Sequence, residues 1–168
     1  MPVRIEKAVE RDIPLVLDFI RKLAEYERMA HLVSATEEDL LAALFGDRSF
    51  VEVLLAYVDG EPAGFAVYFQ SFSTFRCRPG IYLEDIFVDP RHRRARVGTA
   101  LIAAVAKLAF ERGGALSWSV LKWNQPAIDF YKRLGAVEVA EWSGYRLAGE
   151  ALEQVAREAP EIAAGGSR

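Results

Sequence analysis

Cysteine is almost missing: the 168 residues contain one, Cys77. A lone thiol builds neither an intramolecular disulfide framework nor a multi-cysteine metal site. It fits a reducing cytosol, and nothing near it in sequence looks like an activating base. Histidine is nearly as scarce, with only His31 and His92, so no metal centre is expected. No apolar stretch reaches membrane-spanning length, and the opening MPVRIEKAVERD has no apolar signal core. Internal repeats and domain-splitting linkers are also missing. The net charge of -3 argues against a general nucleic-acid binder. Together these absences predict a soluble, cytoplasmic protein that binds neither membrane nor nucleic acid.

What is present is a core-forming composition, 52% hydrophobic, in a length typical of one domain. Positive charge is concentrated rather than spread: Arg91, Arg93, Arg94 and Arg96 lie within six residues. They sit inside Tyr82 to Thr99, YLEDIFVDPRHRRARVGT. That run reads as an apolar strand with two carboxylates, a proline turn, an arginine-rich loop, and a glycine opening a helix. Backbone N–H groups at a helix start, the helix macrodipole and arginines together suit a diphosphate. A second run, Asn124 to Gly135, NQPAIDFYKRLG, places a tyrosine on a later helix. The pair suggests a phosphorylated cofactor beside a site that handles protons.

Periodicity predicts a strand over Val3–Val9 and an amphipathic helix over Asp12–Glu27, with Ile13, Val16, Leu17, Ile20, Leu23 and Ala24 inward. Thr36 and Asp39 form a capping box for a helix that stops at Gly46. Strands follow over Phe50–Val58 and Pro62–Phe72, joined at Asp59-Gly60, and the apolar second strand should be central. A polar connection over Ser73–Gly80 leads to a strand over Ile81–Val88. A helix over Val97–Arg112 and a strand over Ala115–Leu121 come next. A helix then starts at Asn124, two short strands occupy Val137–Glu141 and Tyr145–Ala148, and a last helix covers Glu150–Glu158. Ala163–Arg168 reads as disordered. This order gives an α/β mixed sheet, mostly antiparallel, of about seven strands with helices on both faces.

The order and both motifs resemble the GCN5-related N-acetyltransferase superfamily. Its loop pattern, Gln/Arg-x-x-Gly-x-Gly/Ala, corresponds to Arg93-Arg94-Ala95-Arg96-Val97-Gly98. The similarity is greatest to the diamine (spermidine/spermine and thialysine) branch. It lies at Leu23–Glu27, Phe45-Gly46, Ser73–Phe75, Tyr82–Val88 and Trp123–Arg133. It spans about residues 3–148, which makes 1–149 an acetyltransferase domain and 150–168 a helix and tail. One position departs: Arg96 replaces the middle glycine. With a negative φ its N–H still faces the phosphate, and its guanidinium can bind phosphate itself; otherwise the loop must shift.

The resemblance implies acetyl-CoA as cofactor, a small-molecule primary amine as acceptor, direct attack in a ternary complex, and a homodimer. It implies that Arg93, Arg94, Ala95, Arg96, Val97, Gly98 and Thr99 hold the diphosphate. Ile86, Phe87 and Val88 would pair with the pantetheine arm as an added strand. Asn124 and Pro126 would line the cofactor, although a helix cap and a first-turn proline explain them equally well. Tyr131 would be the general acid; on its residues alone it is also a core aromatic. Glu84 would be the base, through a water, and Asp85 would attract a cationic amine or pair with an arginine. Strand alternation puts Glu84 on the Tyr82/Ile86 face and Asp85 on the Leu83/Phe87 face unless a bulge intervenes. Tyr26 and Glu27 match positions that hold the acceptor's far amine, or form a solvated helix end. Phe75 replaces a tryptophan of the branch, and Arg76 and Arg78 beside it favour an acceptor bearing a carboxylate. A protein N-acetyltransferase and a non-catalytic acyl-CoA sensor are the alternatives.

Overall fold

The computed structural model describes residues 2–160. The chain divides into two compact units, with the boundary between Ser119 and Val120. The first carries β1 (Val3–Lys7), α1 (Ile13–Tyr26), α2 (Glu37–Phe45), β2 (Val51–Val58), β3 (Glu61–Ser73) and β4 (Arg78–Val88). It continues with α3 (Val97–Glu111) and β5 (Leu116–Trp118). The second carries α4 (Gln125–Arg133) and α5 (Gly149–Arg157).

One sheet runs β1-β2-β3-β4-β5, antiparallel except for the β4/β5 pair. As its apolar sequence predicts, β3 is the middle strand. Asp59 and Gly60 both have positive φ, 52° and 85°, the geometry a two-residue hairpin needs to match strand twist. The predicted polar connection after β3 shrinks to four residues, because β3 runs on to Ser73 and β4 already begins at Arg78.

The sheet is buried on both sides. Phe19, Val16 and Leu23 of α1 and Leu44 of α2 pack on Val53, Leu55, Phe65 and Phe87. The Phe19 ring lies 5.5 Å from that of Phe65 and 5.9 Å from that of Phe87. The alternate residues Leu54, Ala56, Ala66 and Tyr68 are equally buried and face the other way, towards α3 with Val97, Leu101 and Val105. This accounts for the apolar run over residues 53–58 of β2. The Thr36/Asp39 capping box forms: Thr36 Oγ1 accepts from the Asp39 N–H at 3.1 Å, and the Thr36 N–H donates to Asp39 Oδ2 at 2.9 Å.

The strand count is corrected from about seven to five. No strand occurs over residues 136–148, where two were expected. The alternating apolar residues are there, but Val137 is 86% and Tyr145 96% exposed. A two-stranded hairpin with no apolar surface behind it is marginal in water, so pattern alone does not make it. The fifth strand is also shorter than expected, Leu116–Trp118 rather than Ala115–Leu121. The predicted disordered tail, Ala163–Arg168, lies outside the described residues.

Candidate active site

The site begins with an irregularity in β4. Val67 of β3 opposes Asp85 and Tyr68 opposes Leu83, so Glu84 is an extra residue, a β-bulge. Opposed residues share a face. Asp85 therefore lies on the Val67, Phe65 and Phe87 side, towards α1, while Leu83 goes with Tyr68 to the α3 side. This corrects the simple alternation: Asp85 shares a face with Phe87 but not with Leu83, and Tyr82, opposite Phe69, and Ile86, opposite Ala66, fall on opposite faces with Glu84 as the extra residue between them. Glu84 is exposed and Asp85 is half-buried.

The bulge also ends the pairing with β5, which matches β4 only at Ile81, Tyr82 and Leu83. Among the described residues no strand covers the outer edge of Ile86, Phe87 and Val88. Opposite Val88 stands Gly64, where a Cβ would lie 2.4 Å from the Phe87 carbonyl oxygen. Only glycine fits that approach between β3 and β4.

Two carboxylates, Glu84 and Glu27, act on a third, Asp85, at this place. Burial, then the charges of Glu84 and Glu27, push the Asp85 carboxyl up to about 6. Burial also raises the Glu27 carboxyl, at the end of α1. Such a group holds its proton towards neutral pH and favours a cation beside it.

After β4, a 3-10 turn spans Pro90–Ala95 and leads to α3 through Arg96. Arg96 has φ +59° and ψ 23°, the left-handed conformation a glycine adopts without strain. The negative φ with which the Arg96 N–H would still face a phosphate is thus not found. The loop keeps a glycine-type path and takes the cost locally, because the N-terminus of α3 behind it is buried through Val97 and Leu101. The first N–H groups of α3, at Val97, Gly98 and Thr99, have no partner within the helix. Arg93 places its guanidinium 5.5 Å over the Tyr26 ring, tying the loop to the end of α1.

In the second unit, Asn124 caps α4 by accepting the Ala127 N–H at 3.4 Å, and Pro126 sits in its first turn. Tyr131 is buried on the same helix, its ring 5.4 Å from that of Phe130.

Phe75 stands apart from the carboxylates. It is 98% exposed at the tip of the β3–β4 hairpin, and Arg78 lies six residues before Glu84 in β4. That is about 20 Å of extended chain. Arg76 and Arg78 consequently supply no carboxylate partner beside Glu84 or Asp85 within this chain.

The acetyltransferase (GNAT) family model matches residues 17–136, well over half of the sequence. The chain belongs to this family. As a GNAT protein it is an N-acetyltransferase, and the family uses acetyl-CoA as acyl donor. It is 40% identical over 166 residues to the thialysine N-epsilon-acetyltransferase of Bos taurus, covering 92% of this chain and 97% of the relative. It is 31% identical over 198 residues to the L-ornithine N5-acetyltransferase NATA1 of Arabidopsis thaliana, covering 90% and 87%. Among solved structures, an integron cassette protein from the mobile metagenome of V. cholerae superposes with a TM-score of 0.77 at 29% identity. It covers 94% of this chain and 99% of that one.

Two features of the candidate site carry sequence signals not used above. Gly64 lay inside a run read only as apolar; an isolated glycine in a strand is the usual signal of a close backbone approach. Asp89 directly follows the predicted strand over Ile81–Val88, and it is buried. Its carboxylate accepts from the Arg91 N–H, Nε and Nη2, each at 3.0 Å. These bonds hold its carboxyl down to about 2. An Asp immediately before a helical turn is an N-cap signal.

Proposed function

We propose that this GNAT protein transfers an acetyl group from acetyl-CoA to the side-chain amine of a small amino acid, of which thialysine and ornithine are examples. The observation that carries the reading is the group formed by Glu27, Glu84 and Asp85, with Asp85 shifted towards neutrality. Relatives acting on thialysine and on L-ornithine support the amino-acid acceptor.

Acetyl-CoA supplies the thioester. The residues fit it: the helix start at Val97, Gly98 and Thr99 with Arg93, Arg94 and Arg96 suits a diphosphate. Ala95 carries the loop backbone between them. The uncovered edge of Ile86, Phe87 and Val88 suits an arm that pairs like a strand. Asn124 and Pro126 line the cofactor in this reading.

An amine is a cation at neutral pH and must lose a proton before it attacks. Glu84 and Glu27 draw the cation in, with Tyr26 beside Glu27 at the end of α1. Asp85, whose carboxyl is raised to about 6, receives it, directly or through a water held by Glu84. Tyr131 donates a proton to the departing thiolate. Direct attack in a ternary complex is favoured because Cys77, the only thiol, lies at the exposed β3–β4 turn. A cytoplasmic homodimer belongs to the same reading, supported by the single cysteine and by the exposed Val137, Trp142 and Tyr145. Among the described residues no helix is long and apolar enough to cross a membrane.

The test follows release of free thiol from acetyl-CoA with a panel of thialysine, ornithine, lysine, spermidine and simple diamines. Highest kcat/KM on an amino acid supports the acceptor class; preference for spermidine refutes it. No thiol release with any amine refutes the reading altogether.

A further inference from the structure

Four arginines in six residues repel one another, so a loop that presents several of them to one anion needs something to order it. The structure supplies this at Asp89. The residue is 4% exposed, and its own N–H donates to the Ala63 carbonyl at 2.9 Å, which pins it to β3. Its carbonyl accepts the His92 N–H at 2.8 Å, inside the 3-10 turn. Its carboxylate takes all three Arg91 donors and has Lys22 Nζ of α1 at 3.9 Å. Lys22 is itself held by Asp18 at 2.7 Å. Arg91 is thereby engaged in a forked ion pair, while Arg93 and Arg94 follow on the turn it fixes.

We propose that Asp89 is a positioning residue for diphosphate binding: through Arg91 it fixes the start of the loop, and through Lys22 it ties that start to α1. It acts through the loop and touches no reacting atom. The inference rests on the cofactor reading above and adds to it the residue that orders the loop.

A purely structural cap and a positioning residue differ in one measurable way. The loop acts on the diphosphate, so its disorder harms a donor that has one and spares a donor that does not. Wild type, D89N, R91A and the double variant are assayed with acetyl-CoA and with S-acetylpantetheine, which carries the same thioester without the diphosphate. Thialysine is the acceptor. In D89N the KM for acetyl-CoA should rise about tenfold or more, the range expected when a hydrogen-bonded charge is lost, with kcat little changed. The constants for S-acetylpantetheine should not move. R91A should act in the same direction, and the double variant should lose no more than the worse single one, because the two groups form one unit.

Equal losses on both donors, or an unchanged acetyl-CoA KM, overturn the proposal. If D89N does not fold, R91A decides the matter, since the Arg91 side chain is 70% exposed and its removal leaves the core intact. A wild-type enzyme indifferent to the diphosphate would instead refute the cofactor site itself.

Discussion

Replacing Asp85 by Asn should stabilise the protein, and by an amount that depends on pH. Asp85 lies on the α1 side of the sheet with its carboxyl raised from 3.8 to about 6, by burial and then by Glu84 and Glu27. The folded chain therefore binds this proton more tightly than the unfolded chain. Stability from the group is present below the unfolded value near 3.8, falls as pH rises, and is fully lost above about 6. A displacement of about 2.2 units at 1.36 kcal/mol each makes the ionised group a burden of about 3 kcal/mol. Asn has the same shape and no charge, so D85N should recover up to about 3 kcal/mol at pH 8. Near pH 5 it should recover only about half of that. In a chain of this length that corresponds to a Tm increase of about 6–12 °C at pH 8. Urea unfolding at the two pH values reads both numbers. A gain that is the same at pH 5 and pH 8, or a loss at pH 8, would refute the argument. The same variant should be nearly inactive, because the group that weakens the fold is the one assigned to take the substrate proton.

The pH profile of kcat/KM should fall about tenfold per unit below pH 6, as Asp85 becomes protonated; a flat profile down to pH 5 removes Asp85 as base. R96G should raise stability by about 1 kcal/mol by relieving a left-handed arginine. Thermal shift with coenzyme A then reports whether the lost guanidinium weakens binding. G64A should cost about 2 kcal/mol or more and raise the KM for acetyl-CoA, since the new methyl meets the Phe87 carbonyl; urea unfolding and steady-state kinetics check both. Y131F should lower kcat at least about tenfold while coenzyme A binding, followed by calorimetry, stays unchanged.

The sequence by itself determined the elements whose signals are local. The Thr36 capping box, the Asp59-Gly60 hairpin, the α1 stripe and the motif that leads β4 through a basic turn into α3 depend on neighbours within a few residues, and they appear where the pattern places them. The chemical types in the site, carboxylates on β4 and arginines before α3, were legible for the same reason. What only the tertiary structure decided depends on partners distant in the chain. Val137–Ala148 alternates like two strands but is exposed, since an alternating pattern does not say whether a sheet edge is there to receive it. The Glu84 bulge exists only in register with β3, and it assigns Asp85 to the α1 side, where burial first, then Glu84 and Glu27, raise its proton affinity. Arg96 holds a glycine's backbone angles because the packed start of α3 fixes the path of the loop more strongly than one residue's preference can change it.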